Sequence, residues 1–179
     1  VFDRSNTIPG GGHLEQADGT SWMAMYCLNM LEMALEIAQV DDTYEDVTTK
    51  FFEHFVYIAE SLNRIGENWT GSWDDDEGFF YDVLAMPDGR YIPVKVRSLV
   101  GLSTLFATLV LKKDMLEKVP DFHKRLKWFQ QYREDNGQYL VIEELSTGPG
   151  GNGHDDILLS LVPKARLEKL MKALLDENE

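Results

Sequence analysis

Residues 98–111 read SLVGLSTLFATLVL. Apart from Ser98, Ser103, Thr104 and Thr108 the run is apolar or glycine, with no charge anywhere. A helix that is apolar nearly all round belongs in an interior, so the segment is expected as a buried helix. The fold that grows outward from it is mainly α.

Upstream lies EGFFYDVLAMPDGRYIPVKV, residues 77–96. Two β-type runs flank Pro87-Asp88-Gly89, which predicts a hairpin with a glycine-assisted turn. Downstream, DFHKRLKWFQQYRED (121–135) has the spacing of an amphipathic helix. A glycine-rich loop, TGPGGNG at 147–153, precedes a short apolar stretch, ILLSLV. Pro163 then opens an amphipathic helix running to about Glu177, since proline suits a first helical turn.

Nearer the start, SWMAMYCLNMLEMALEIAQV (21–40) places Asn29, Glu32 and Glu36 at helical spacing and leaves a wide apolar face. This helix should be largely buried. Asp42 and Glu45 resemble a capping box opening a one-sided helix over 44–64, with Phe51, Phe52, Phe55, Ile58, Ala59 and Leu62 inward. Residues 1–20, with five of the glycine and proline residues, read as loop. Buried segments (21–40, 98–111, 156–162) thus alternate with one-sided helices (44–64, 121–135, 163–177). Two concentric helical layers would produce that order. The expectation is an arc, about half, of an (α/α)6 toroid with one β-hairpin insertion, all 179 residues being a fragment of a single domain.

Bulk properties narrow the function. The composition is globular, with 44% hydrophobic residues. A formal charge of −14 repels phosphate backbones and anionic membrane surfaces, so nucleic acid and membrane are not expected partners. Cys27 is the single cysteine, inside an apolar pattern, and reads as a small core residue. No apolar run reaches the ~18 residues of a membrane span. No signal-peptide pattern is visible, and the compartment is left open, with the cytoplasm favoured. Asn68-Trp69-Thr70 matches a glycosylation sequon, a pattern common by chance.

The densest polar loop is HLEQADGTSWM, residues 13–23. Asp18 precedes the expected helix by two or three residues, with Trp22 four positions further on. As an ordinary helix start, Asp18 is a capping residue. As chemistry, it is a carboxyl held at an open rim, able to protonate a leaving oxygen, with Trp22 as an apolar wall.

Four blocks bear on that choice: IPGGGHLEQADGTSWMAMYCLNMLEMALEIA, KFFEHFVYIAESLN, WDDDEGFFYDVLAMPDGRYIPVKVRSLVGL and LLSLVPKARLEKLMKALLDENE. In order, over nearly the whole chain, they resemble microbial members of glycoside hydrolase family 63. The resemblance implies an inverting α-glycosidase with an (α/α)6 catalytic domain, acting on α-glucosides or oligosaccharides without a cofactor or metal. It implies that Asp18, four positions before Trp22, is the general acid. Glu15 matches the family's acidic residue three positions upstream. Trp22, Tyr81, Asp82 and Arg97 would line the pocket for the sugar together with Glu15. Inversion needs a second carboxylate roughly 6.5–9.5 Å away. The family's base block, rich in Asn, Trp, Arg, Gly and Pro, is not found among these residues.

Other candidates have plainer alternatives beside them. Trp73 and Tyr81 could stack on a pyranose or pack in the core. Asp82 and Arg97 could bind hydroxyls or form a structural ion pair. Asp74-Asp75-Asp76-Glu77 lacks the alternation of a calcium loop and reads as solvated. His13, His54, His123 and His154 carry no pattern, and TGPGGNG lacks the lysine of a phosphate loop. The competing function is a non-catalytic helical binding or interaction module. Both readings expect an exposed inner edge that could pair as a homodimer.

Overall fold

The computed structural model describes residues 8, 10–63, 65–66, 69–135, 141–145 and 156–175. The glycine-rich loop 147–153, His154 and Asn68 of the sequon lie outside the described residues.

The chain starts with β1 (His13–Glu15), α1 (Ala17–Ala38), a 3-10 turn (Asp42–Tyr44) and α2 (Glu45–Asn63). Short strands follow: β2 (Ile65–Gly66), β3 (Trp69–Thr70), β4 (Trp73–Asp74), β5 (Phe79–Phe80), β6 (Asp82–Ala85) and β7 (Tyr91–Val94). Then come α3 (Leu99–Leu102), a 3-10 turn (Ser103–Phe106), β8 (Thr108–Leu111), α4 (Lys113–Leu116) and α5 (Pro120–Asp135). β9 (Ile142–Leu145), β10 (Asp156–Ser160) and α6 (Lys164–Leu175) complete it. The strands form two three-stranded sheets, β1-β6-β7 and β8-β10-β9, and two two-stranded ones, β2-β3 and β4-β5. All recorded pairings are antiparallel.

The mainly α toroid arc is therefore corrected: the fold is mixed α/β. The decisive segment is 98–111. Its helix stops after one turn, where the Ser103 and Thr104 hydroxyls donate to the carbonyls of Val100 (2.7 Å) and Gly101 (2.9 Å). Ala107 leaves helical geometry at φ −86, ψ 77. Residues 108–111 then pair with 157–160 in the register Leu111↔Ile157. Thr108 and Val110 suit a strand, and Leu111 turns into the core. The stretch 156–162 likewise is not a helix: its residues 156–160 form the central strand of that sheet.

Helices α2, α5 and α6 match their expected positions, and so does the hairpin at 87–89, whereas α1 begins at Ala17 and β1 occupies 13–15, inside the stretch 1–20 expected to be loop. Met86 and Arg90 are bridged by Met86 N–H donating to Arg90 O (2.8 Å), and Gly89 adopts φ +84, a turn conformation glycine takes without strain. Pro163 directly precedes α6, and its carbonyl accepts from Arg166 and Leu167.

One core joins the layers. Ala24, Leu28, Leu31 and Leu35 of α1 pack with Phe52, Phe55 and Ala59 of α2. Phe122 and Leu126 of α5 and Leu111, Ile157 and Leu159 of the second sheet close it. Phe52 meets Phe122 and Phe129 edge-on, at 5.9 and 5.3 Å between centroids. The fully buried rings of Phe52 and Phe122 each contribute about 1.5–3 kcal/mol by burial. The Glu45 side chain caps nothing in its own helix; it accepts the Phe122 N–H at 2.8 Å and so ties α2 to the start of α5. The capping role falls to Asp41, whose carboxylate accepts from Thr43 N–H.

α1 departs from expectation in burial. Only one face is covered, by Ser21, Ala24, Leu28, Leu31, Ala34, Leu35 and Ala38, while apolar residues continue around the solvent side. Cys27 is half-buried at the edge of this core, and burial pushes its thiol up from the ordinary range. Among the described residues no helix is long and apolar enough to cross a membrane.

Candidate active site

The start of α1 is built from three elements. β1 pairs with β6 in the register Glu15↔Val83, which carries Asp82 to the first turn of α1. Gln16, in the cap position with extended backbone (φ −93, ψ 120), offers no side-chain cap. The Asp82 carboxylate takes that role from 65 residues away, accepting the Ala17 N–H at 2.9 Å. A carboxylate here satisfies an orphan donor and faces the positive end of the helix.

Asp18 lies inside the helix, as its second residue, and not in a loop ahead of it. Its Oδ1 accepts the Gly19 N–H at 2.8 Å, and the residue is half-buried. Thr20 and Ser21 do not cap; their hydroxyls donate backwards to Gln16 O and Ala17 O. Trp22 follows by one turn on the same face as Asp18. It is 43% exposed, and its ring meets that of Phe106 at 5.8 Å. Glu15 ends β1 next to the corner, with His13 Nε2 3.7 Å from its carboxylate. Glu15, Asp18, Trp22 and Asp82 therefore share one corner.

Tyr81 and Arg97 belong to a different cluster. Tyr81 is 1% exposed, and its ring packs on Phe79 at 5.3 Å, so it offers no face to a sugar. Its hydroxyl donates to Glu77 Oε2 at 2.6 Å. Lys95 bridges Asp74 (2.6 Å) and Glu77 (3.0 Å), and Arg97 Nη2 stands 3.9 Å from Glu77. Burial, then the Glu77 hydrogen bond, pushes the Tyr81 phenol up, with Arg97 opposing. The Tyr81 and Lys95 hydrogen bonds hold the Glu77 carboxyl below its usual range. For Asp74, burial works to raise the carboxyl, but Lys95 and the N–H groups of Glu77 and Asp76 outweigh it. Their combined attraction raises the Lys95 ammonium above its ordinary value.

Trp73 is also structural. Its Nε1 donates to Asp75 Oδ1 at 2.9 Å, and the Arg166 guanidinium sits 5.0 Å over its ring. Arg166 is buried and donates to Asn63 Oδ1 at 2.6 Å. This buried pair escaped sequence reasoning, because 103 residues separate its partners and neither stands in a motif. A cavity of about 340 Å³ opens beside it, lined by Trp73, the Asp74–Asp76 run, Tyr91 and Arg166. A second, of about 550 Å³, lies between the start of α2 and α5, with Trp128 on its wall. Neither includes Asp18. Among the described residues no group of three or more His, Cys, Asp or Glu could hold a metal ion.

No family model matches the chain, and no solved structure does. The chain is 37% identical over 190 residues to the "Uncharacterized protein YMR196W" of Saccharomyces cerevisiae, in a match that takes in 100% of this chain. It spans only 17% of that protein's length.

Proposed function

We propose that these residues carry the general acid of an inverting α-glycosidase similar to glycoside hydrolase family 63, with Asp18 as the proton donor. The observation that supports this best is the clamp of Asp82 on Ala17 N–H. It fixes Asp18 in the first turn, on the Trp22 face and near Glu15. In this reading a pyranose seated over this corner excludes water, and Asp18 gives its proton to the leaving oxygen. Glu15 receives sugar hydroxyls, Trp22 and Phe106 provide an apolar wall, and Asp82 positions the acid. Arg97 and Tyr81 meet at Glu77 in the neighbouring cluster and do not touch the sugar in this reading. The second carboxylate, needed for a water on the opposite sugar face, comes from outside these 179 residues. The reading rests on this corner and on the sequence motifs around it, and it does not require a toroid.

The test is α-glucoside hydrolysis by the full-length polypeptide, wild type beside Asp18→Asn, with NMR reporting the product anomer. Inverting turnover that falls about 10²–10⁴-fold in the variant for substrates with poor leaving groups is expected. Full activity in the variant removes Asp18 from the role. A panel of α-glucosides left untouched by the wild type favours the second reading, a non-catalytic interaction module. That reading draws its support from the exposed apolar side of α1.

A further inference from the structure

The solvent side of α1 carries Met23, Tyr26, Met30, Met33 and Ile37, continued by Val40 just past the helix end. All six are exposed, between 42% and 87%. The intervals are three, four, three, four and three residues, a heptad seam with apolar a and d positions. A helix on a monomer's surface normally turns charged side chains outward. Here the inward face is fully used by the core, so this one is a second apolar face. Trp22 and Phe106, in ring contact and both exposed, extend it onto the turn at 103–106.

Charge indicates what fits the seam. From Ala17 to Ala38 there is no Lys, Arg or His, and the exposed flank carries Asn29, Glu32 and Glu36. A second copy packed antiparallel would set acidic flank against acidic flank, and in either direction two chains each at −14 would be brought together. A helix with basic flanks meets no such repulsion. The yeast relative is about six times as long as the match to this chain, so a polypeptide of that length has ample chain beyond the match to cover the seam.

We infer that this face of α1 is an internal interface of a longer polypeptide. A helix from outside these 179 residues, apolar at the same heptad spacing and flanked by Lys or Arg, packs along it. Three methionines in the seam suit such a contact, because the unbranched thioether adapts to its partner's shape. The inference is independent of the glycosidase reading.

Methionine oxidation by dilute hydrogen peroxide, read by mass spectrometry, tests it on the 179-residue chain and on the full-length polypeptide. In the short chain Met23, Met30 and Met33 should oxidise faster than Met25, which is half-buried against the core. In the full-length polypeptide those three should slow at least ~10-fold, since the reagent must wait for the interface to open, while Met25 changes little. Equal rates in the two samples overturn the proposal. So does protection in the short chain that grows with its concentration, because a second copy then occupies the seam. A gene product with no further residues overturns it as well. A second measurement addresses the flank: Glu32→Lys/Glu36→Lys should lower the Tm of the full-length polypeptide but not that of the short chain. A full-length Tm that holds or rises removes the basic flank.

Discussion

The carboxylate of Asp82 and the backbone N–H of Ala17 meet at 2.9 Å across 65 residues of sequence. That bond joins a strand start to a helix start, one residue before the proposed acid, Asp18. Asp82→Ala leaves a helix end without its acceptor and should cost about 1 kcal/mol, the usual worth of a cap. Thermal unfolding of the 179-residue chain reads the loss. Activity of the full-length polypeptide should fall further than the lost stability accounts for, since Asp18 is then less firmly placed. An unchanged Tm would show that the clamp is dispensable.

Asn63→Leu removes one acceptor of a buried guanidinium and should cost about 1–3 kcal/mol. Arg166 Nη1 would lose its 2.6 Å bond, and the carbonyls of Ala59 and Leu161 would lose the Asn63 amide donor. The double variant Asn63→Leu/Arg166→Met should recover part of the loss, because no buried guanidinium is then left short of the Asn63 acceptor. Urea denaturation of the two variants checks both statements. A double variant as damaged as the sum of two single losses would contradict the pairing.

Gly101 is a position where a glycine is required by space. A Cβ there would run into the Phe80 carbonyl oxygen and the Phe79 ring. Gly101→Ala forces α3 away from β5 and should destabilise by about 1–3 kcal/mol, the usual cost of overpacking. Gly89 offers the contrast: no atom lies within 4 Å of its Cβ position, and only its φ of +84 resists substitution. Its replacement by Asn, which tolerates that region, should cost less than Gly101→Ala. The two midpoints in one denaturation series decide the order.

Glu77 gives a pH dependence with a definite sign. Its carboxyl is held below the ordinary range by Tyr81 and Lys95. A depressed folded-state value means stability that is complete above the unfolded value, about 4.3 for Glu, and lost as pH falls through the lower folded value. The Tm should drop as pH is taken below about 4.5, and Glu77→Gln should flatten that limb. A variant with an unaltered acid limb would place the acid sensitivity elsewhere.

Much of the helical layout was legible from local pattern. The spacing of Phe52, Phe55, Ala59 and Leu62 marks the inner face of α2 without any partner in view, and Pro163 marks the start of α6. The turn at Pro87-Asp88-Gly89 is chemistry of adjacent residues, so the β6–β7 hairpin could be read directly. Asp18, Glu15 and Trp22 stood out for the same reason: they are neighbours in sequence.

What the tertiary structure alone decided involves distant partners. Residues 108–111 are a strand because 157–160 lie beside them, and an apolar run without periodicity does not say which hydrogen bonds it will make. Hydrophobicity marked α1 as a core helix, but only packing shows that one face meets α2 while Met30 and Met33 face outward. Tyr81 next to Asp82 looked like part of one site, yet alternation along the chain turns its ring into the core and its hydroxyl to Glu77. Local composition determines which segments can order and which residues can do chemistry. Long-range pairing determines which of their faces are covered.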